Sequence, residues 1–455
     1  MKNLLMGTTI VLGVLLFANV GTSATYYVAT TGSDSNPGTD SAPWRTVSRA
    51  AQRLQPGDAV FIRGGTYHEQ VILANSGSDE NSRITYAAYP GETPILDGTG
   101  VTPYTNEWGG LIDIGGKSHI VIRGLTVRNT AGMGGVIGVA GIHADGGHDI
   151  TVTRCTVYNT RSSGVGLWNS TNTGSVKSYV TSNDIYQAVN GGTQECISVS
   201  NSSYVDVSYN AVHGGVNLPN GGEGIDVKEA SRYVEVHHNT VYDLPGDVAI
   251  YIDAYASVLS NVAVYGNMIY EAGYGIGVAC EQGGTANNVE IYNNVVRNTG
   301  TQGIEITSYG GGQRNAIKIY NNTVYANATG GINITSTAIS GVEVYNNISA
   351  SNGNYQLQVA SEANIATFYN LLYGTQGSYK GTHYLTTNPL FISATDMHLQ
   401  PSSPAIDTGT GTGAPLSDYD GVGRPQGSGY DMGAYEYVSA DKVPPTPPTG
   451  LKIIN

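Results

Sequence analysis

Two short segments, one period apart, carry the side chains best suited to chemistry. Gly224-Ile225-Asp226-Val227-Lys228 is followed by Ala249-Ile250-Tyr251-Ile252-Asp253. In each, the second and fourth residues are aliphatic, so on an extended chain the third and fifth point the other way, to solvent. Asp226, Lys228, Tyr251 and Asp253 then share one face. Glu223 and Asp247 lie just upstream of the same segments, Glu195 one segment earlier, and Glu281 and Glu305 further on. Carboxylates this close repel one another, and a proton or a metal ion is the usual relief. Ca2+ takes roughly six to eight oxygens, mostly from carboxylates and carbonyls, and Glu223, Asp226, Asp247 and Asp253 are the candidate ligands. Lys228 is the candidate general base, or a clamp on an anionic ligand. The carboxylates would raise its pKa, so the base role needs burial or a bound cation to offset them. Asp226 and Asp253 are the other candidate catalytic groups, and as a carboxylate pair they could also serve as acid and base. Trp168, Tyr251, Tyr255 and Tyr309 border the patch, and aromatic rings beside a polar stripe suit the apolar C–H faces of sugars. His143, Asp145 and Glu305 extend the candidate binding surface, His143 and Asp145 being spaced as a possible acid–base pair.

These positions are fixed by a repeat. Asn183, Asn210, Asn239, Asn267, Asn294, Asn322 and Asn347 recur at steps of 27, 29, 28, 27, 28 and 25 residues. Each sits in a copy of one phrase, as in Val234-Glu235-Val236-His237-His238-Asn239 and Val262-Ala263-Val264-Tyr265-Gly266-Asn267. A fixed period in this range marks a solenoid, and the period-two alternation inside the phrase makes its units strands. Asparagine at a bend tolerates the left-handed backbone conformation. Pointed inward, its amide can bond the next rung, at about 1 kcal/mol net per bond. The expected fold is all-β: a single right-handed parallel β-helix over residues 25–387 with an asparagine ladder. A short amphipathic helix near Trp44 to Leu54 caps the N-terminal rung, and residues 388–437 form a C-terminal cap.

Composition narrows the partners. The 455-residue chain is 12 % charged with a net charge of −14, which argues against nucleic acid. Lys2 and the apolar run Leu4 to Ala18, ending at Thr22-Ser23-Ala24, read as a secretory signal peptide over residues 1–24, with no span elsewhere. Cys155, Cys196 and Cys280 are odd in number and read as small buried apolar residues. Residues 438–455 form a proline-rich extended tail.

The opening Tyr26-Tyr27-Val28-Ala29-Thr30-Thr31-Gly32-Ser33-Asp34, with Pro43-Trp44-Arg45-Thr46-Val47 and Pro56-Gly57-Asp58-Ala59-Val60, resembles secreted β-helix polysaccharide lyases of families six and nine. Tyr89-Pro90-Gly91-Glu92-Thr93-Pro94 looks like the phrase that follows in them. The resemblance implies the β-helix fold. For family nine it also implies a pectate-type lyase with calcium held by aspartates on adjacent rungs and a lysine base. Glu223-Gly224-Ile225-Asp226-Val227-Lys228 is similar to one of its site phrases, and Gly246-Asp247-Val248-Ala249-Ile250 matches another in part, with a shift to Asp253. That family's base lies on a later rung, where this chain has Ala279 and Thr307, and the lysine–arginine signature of family six is not visible. The segment from Asn388-Pro389-Leu390-Phe391 to Asp431-Met432-Gly433-Ala434-Tyr435-Glu436 looks like the choice-of-anchor segment of bacterial surface β-helix proteins.

The expectation is a monomeric protein, secreted or at the bacterial cell surface, that acts on an acidic polysaccharide. Calcium-assisted β-elimination on a uronate-containing glycan leads. A glycoside hydrolase with paired carboxylates and a non-catalytic carbohydrate-binding β-helix are the alternatives.

Overall fold

The computed structural model describes residues 23–102, 108–130, 138–191, 193–215, 221–374 and 379–439. The signal-like segment, apart from its last two residues, and nearly all of the proline-rich tail lie outside them. Each turn of the chain contributes one strand to a 14-stranded parallel sheet and two short strands to a 21-stranded one. One turn shows the plan: Arg232–His237 in the first sheet, then Thr240–Asp253, which crosses a bend to serve both positions of the second, then Val258–Tyr265 one rung on. Strands pair with the rung before and the rung after in parallel register, so Val180, Val207, Val236, Val264, Ile291 and Ile319 stack in a single inward column. All six are buried, part of one apolar core that runs most of the length of the solenoid.

The expected ladder is present and one rung longer. From Asn183 to Asn347, each side-chain Nδ2 donates to the Oδ1 of the next asparagine at 2.9 to 3.0 Å, and the series ends on Asn370. The left-handed conformation falls elsewhere than expected. It belongs to the residue before each ladder asparagine: Ser182, Tyr209, His238, Gly266, Asn293, Asn321, Asn346 and Tyr369 all have φ between 50° and 62°. That preceding residue makes the corner, and the ladder asparagine is thereby turned inward. A second, shorter amide column runs along another corner from Thr299 through Asn327 and Asn352 to Gln356.

The N-terminal helix is shorter than the predicted segment, Val47–Ala51. Thr46 caps it through its hydroxyl, and the Glu69 carboxylate takes the free N–H groups of Val47 and Ser48 at 2.9 Å each. It buries Val47, Ala50 and Ala51 over the first rungs. The segment expected as a C-terminal cap lies along a flank instead. Leu399, Ala405 and Met432 pack on Ile348, Ala350 and Leu371, and its backbone meets the corner residues Asn293, Asn321 and Asn346. A buried Arg424–Glu436 ion pair at 2.7 Å holds the segment together. The three cysteines are buried and unpaired.

Candidate functional site

The rung register places the predicted residues in columns on the outward face of the strands that precede the ladder. One column runs His143, Gly166, Ser198, Asp226, Tyr251, Gly277, Glu305, Asn333. Beside it run Asp145, Trp168, Ser200, Lys228, Asp253 and Ala279. Upstream, Glu195 lies next to Glu223, whose carbonyl accepts the Cys196 N–H at 2.8 Å. Asp226 and Lys228 therefore lie between Ser198 and Ser200 on one side and Tyr251 and Asp253 on the other.

The outward positions were expected in solvent, and here the structure corrects the sequence. His143, Ser198, Asp226, Asp253 and Ala279 are all buried. Rungs stand only about 4.8 Å apart, so a large neighbour or a loop leaning across a small one closes it off. His143 is the sharpest case. Its ring lies against Trp168, edge to face with centroids 4.8 Å apart, over the space left by Gly166. Burial lowers its pKa to about 4, and its Nε2 has no hydrogen-bond partner among the described residues. Asp145 is exposed and accepts the Asn169 amide at 2.6 Å. The proposed His–Asp pair is not formed, and His143 is packed away beneath Trp168 rather than presented to a ligand.

Seven acidic side chains line one open cleft of about 620 Å3, and Lys228 is the one cation among its described lining residues. Lys228 does not reach forward to Asp253. That carboxylate already accepts the backbone N–H groups of Tyr255 at 2.8 Å and Glu281 at 3.0 Å. The ammonium turns back instead, donating to Glu195 Oε1 at 2.7 Å and Gln194 Oε1 at 2.9 Å, with Asp226 Oδ2 at 3.9 Å. Burial by itself would lower the Lys228 pKa, but Glu195 and Asp226 outweigh it and push it up. In this state Lys228 is an ion-paired ammonium, not a free base.

The acids are held the other way. Burial, then repulsion from Glu195, lifts Glu223 to about 7, and burial lifts Asp247 to about 6. Asp226 is raised by burial and by Glu195 in spite of Lys228, and Asp253 by burial in spite of its two N–H donors. Glu195 Oε2, Glu223 Oε2, Asp226 Oδ1 and Asp247 Oδ2 are buried without a hydrogen-bond partner among the described residues. Four such oxygens in one cleft form a donor set whose chemistry fits a hard divalent cation. Among the described residues no three acidic, His or Cys side chains converge on one point as they stand, so such an ion needs side-chain rotation. Tyr251 lies along the cleft floor with its hydroxyl on Glu281 Oε1 at 2.9 Å. Tyr255 and Tyr309 form exposed walls.

The predicted set thus divides. Glu223, Asp226, Lys228, Asp247, Tyr251, Asp253, Tyr255 and Tyr309 meet in this cleft. Trp168, His143 and Asp145 sit rungs away towards the N-terminus, where Trp168 also packs on Trp108. Glu305 lines an adjoining cavity on the other side. Sequence reasoning missed Gln194, which shares the Lys228 ammonium, and Glu229, which accepts the Ser200 hydroxyl at 2.7 Å. Glu229 stands next to Lys228 in its outward column and Gln194 next to the upstream Glu195, and that adjacency to named site residues is the signal that could have found them.

Comparison with known proteins agrees with this architecture. The "Uncharacterized protein YwoF" of Bacillus subtilis (strain 168) is 36% identical over 120 residues, 26% of this chain and 25% of that protein. "Pectate lyase PEL9" of Emericella nidulans is 32% identical over 96 residues, 21% of this chain and 23% of that protein. The chain thus matches about a quarter of the length of each of these curated relatives. Among solved structures, "The complex structure of XylC with xylose" superposes with a TM-score of 0.63 at 12% identity, covering 91% of this chain and 98% of the other. "Crystal structure of pectate lyase Pel9A" gives 0.60 at 15% identity, covering 92% and 97%. Residues 180–348 match the model "Right handed beta helix region". Residues 26–196 match "Pel9A-like, right handed beta helix region", and the chain is accordingly a right-handed parallel β-helix protein with a pectate lyase-like fold.

Proposed function

We propose that this chain is an exported enzyme that cleaves a uronate-containing polysaccharide by β-elimination in the Lys228 cleft. The observation that carries the reading is the set of four buried carboxylate oxygens, unpartnered among the described residues, around the one lysine of the described lining. The partial identity to a pectate lyase supports it. A Ca2+ ion held by Glu223, Asp226 and Asp247, with Asp253 alongside, would neutralise the substrate's carboxylate, acidify its α-proton and offset the share of the charge holding Lys228 protonated that comes from Asp226 and Glu223, leaving Glu195 as its ion-pair partner. Lys228 Nζ then takes the α-proton. The electron pair forms the new double bond, the glycosidic C–O bond breaks, and water protonates the leaving oxygen. Glu195 and Gln194, already bonded to Nζ, hold the amine in position. Tyr251 and Tyr255 offer ring faces to the sugar.

A second reading has its own observation. Glu223 near 7 and Asp247 near 6 are partly protonated at neutral pH, as a hydrolase's general acid must be. One assay separates the two. The protein is given a panel of homopolymeric and alternating uronate glycans with calcium, and both ultraviolet absorbance and reducing ends are followed. Elimination yields both signals. Lys228→Ala and Asp226→Asn should abolish them, and chelation should do the same to the wild type. Reducing ends without absorbance would transfer the site to the hydrolase reading. Glycan binding without turnover, unchanged in either variant, would leave a binding protein.

A further inference from the structure

The cleft does not end at Tyr251. On its C-terminal side a second cavity of about 420 Å3 opens, sharing Tyr251, Tyr274, Tyr309 and Glu281 with the first. Its floor is Gly277, on which Tyr251 leans: a Cβ there would come within 3.0 Å of the Tyr251 ring. Its far end is Glu305, three rungs from Asp226 in the same column, or about 14 Å at the usual strand spacing. Tyr274 and Tyr309 are exposed, at 37% and 63%.

The two cavities differ in charge. The first has Lys228 and the orphaned carboxylate oxygens. The second has two carboxylates, Glu281 and Glu305, and no Lys, Arg or His among its described lining residues. Neither carboxylate is bound to a cation in the described structure: Glu281 accepts the Tyr251 hydroxyl at 2.9 Å, and Glu305 accepts Asn333 Nδ2 at 3.3 Å. A uronate placed there would set its carboxylate against these two in a half-buried site, a like-charge contact that disfavours it. A neutral sugar has what the site lacks, hydroxyl donors for the two acceptors and an apolar face for three tyrosine rings.

Resting on the lyase reading of the neighbouring cleft, we infer that this second cavity is a subsite for an uncharged sugar. The substrate is then a heteropolymer in which a neutral residue lies beside the uronate, not a homopolymer of uronates.

The wild-type protein, with calcium, is given a homopolymeric uronate and an alternating uronate–neutral polymer, and kcat/KM is compared. The alternating polymer should be favoured by at least about tenfold. Glu305→Gln, which keeps shape and removes charge, should shrink that preference at least about threefold by improving the homopolymer's KM. Gly277→Ala, which displaces Tyr251, should raise KM for the alternating polymer more than it lowers kcat. A homopolymer turned over as well as the alternating one overturns the inference and leaves the lyase reading standing, as does a preference that Glu305→Gln does not move. Failure to turn over either polymer overturns both.

Discussion

The asparagine corner and the Lys228 cleft are built from the same rungs, and both bury columns of polar side chains. They differ in what happens to the polar atoms. In the ladder, Asn267 donates to Val236 O and Asn294 Oδ1 and accepts from Asn239 N and Nδ2, all between 2.9 and 3.0 Å. In the cleft, four carboxylate oxygens have no hydrogen-bond partner among the described residues. Buried polar groups left unpaired typically cost about 1–3 kcal/mol each. The solenoid thus shows what it does with polar groups kept for structure, and the cleft departs from that practice. A structural column closes on itself, whereas this one is open to something from outside.

The comparison breaks most visibly by mutation of one member from each column. Asn267→Ala removes four side-chain hydrogen bonds and orphans buried partners in two rungs, so it should destabilise the fold by about 3–5 kcal/mol in chemical denaturation. Asn370, at the ladder's end, is also buried and makes four side-chain hydrogen bonds, so its loss should cost about as much. Asp226→Asn should go the other way. It removes a buried charge whose Oδ1 has no partner among the described residues, so stability should hold or rise by about 1 kcal/mol, while any stabilisation by calcium disappears. Loss of stability in Asp226→Asn comparable to that in Asn267→Ala would make the cleft carboxylates structural after all.

The difference also governs what could be read from sequence. The ladder is periodic, and a residue that must occupy the same corner of every rung leaves a spacing to be counted. The cleft has no period: Asp226 is followed in its column by Tyr251, Gly277 and Glu305. Its position followed from the ladder's register, and its membership followed from charge being scarce. What alternation could not convey is cover. It puts His143 and Lys228 outward alike, but Trp168 closes over the one and leaves the other at an open cleft. Nor could it show which carboxylate Lys228 chooses, because that depends on the backbone N–H groups of Tyr255 and, one rung on, of Glu281 having already engaged Asp253. The second amide corner of Asn327, Asn352 and Gln356 was missed because it spans too few rungs to stand out as a repeat.

A smaller effect sharpens the contrast through pH. Glu223 moves from 4.5 to about 7 and Asp247 from 3.8 to about 6 on folding. Both are raised, so between these limits the folded chain binds more protons than the unfolded one. Stability must then fall as pH rises from about 4 to 7 in the absence of divalent cations. The amide ladder, having nothing to titrate, contributes no slope. Calcium should raise Tm more at pH 8 than at pH 5, because at low pH protons already occupy the carboxylates. A flat Tm across this range in chelator, followed by scanning calorimetry on wild type and on Glu223→Gln, would remove the electrostatic half of the comparison.

The smallest effect tests the other half. Gly266 holds the corner before Asn267 at φ 62°, and the equivalent positions on later rungs are Asn293, Asn321 and Asn346 with φ of 50° to 53°. Asparagine is among the few residues that take this conformation at low cost, so the corner does not require glycine. A Cβ at Gly266 would meet the His238 ring at 3.3 Å, a contact that a small shift of a half-buried ring relieves. Glycine in exchange leaves the unfolded chain more freedom to lose. Gly266→Asn should therefore change stability by no more than about 0.5 kcal/mol in either direction, with Gly266→Val, β-branched at positive φ, clearly worse. The ladder is then sensitive at the asparagine and permissive one residue before it. The inward amide, rather than the shape of the corner, is what the repeat preserves.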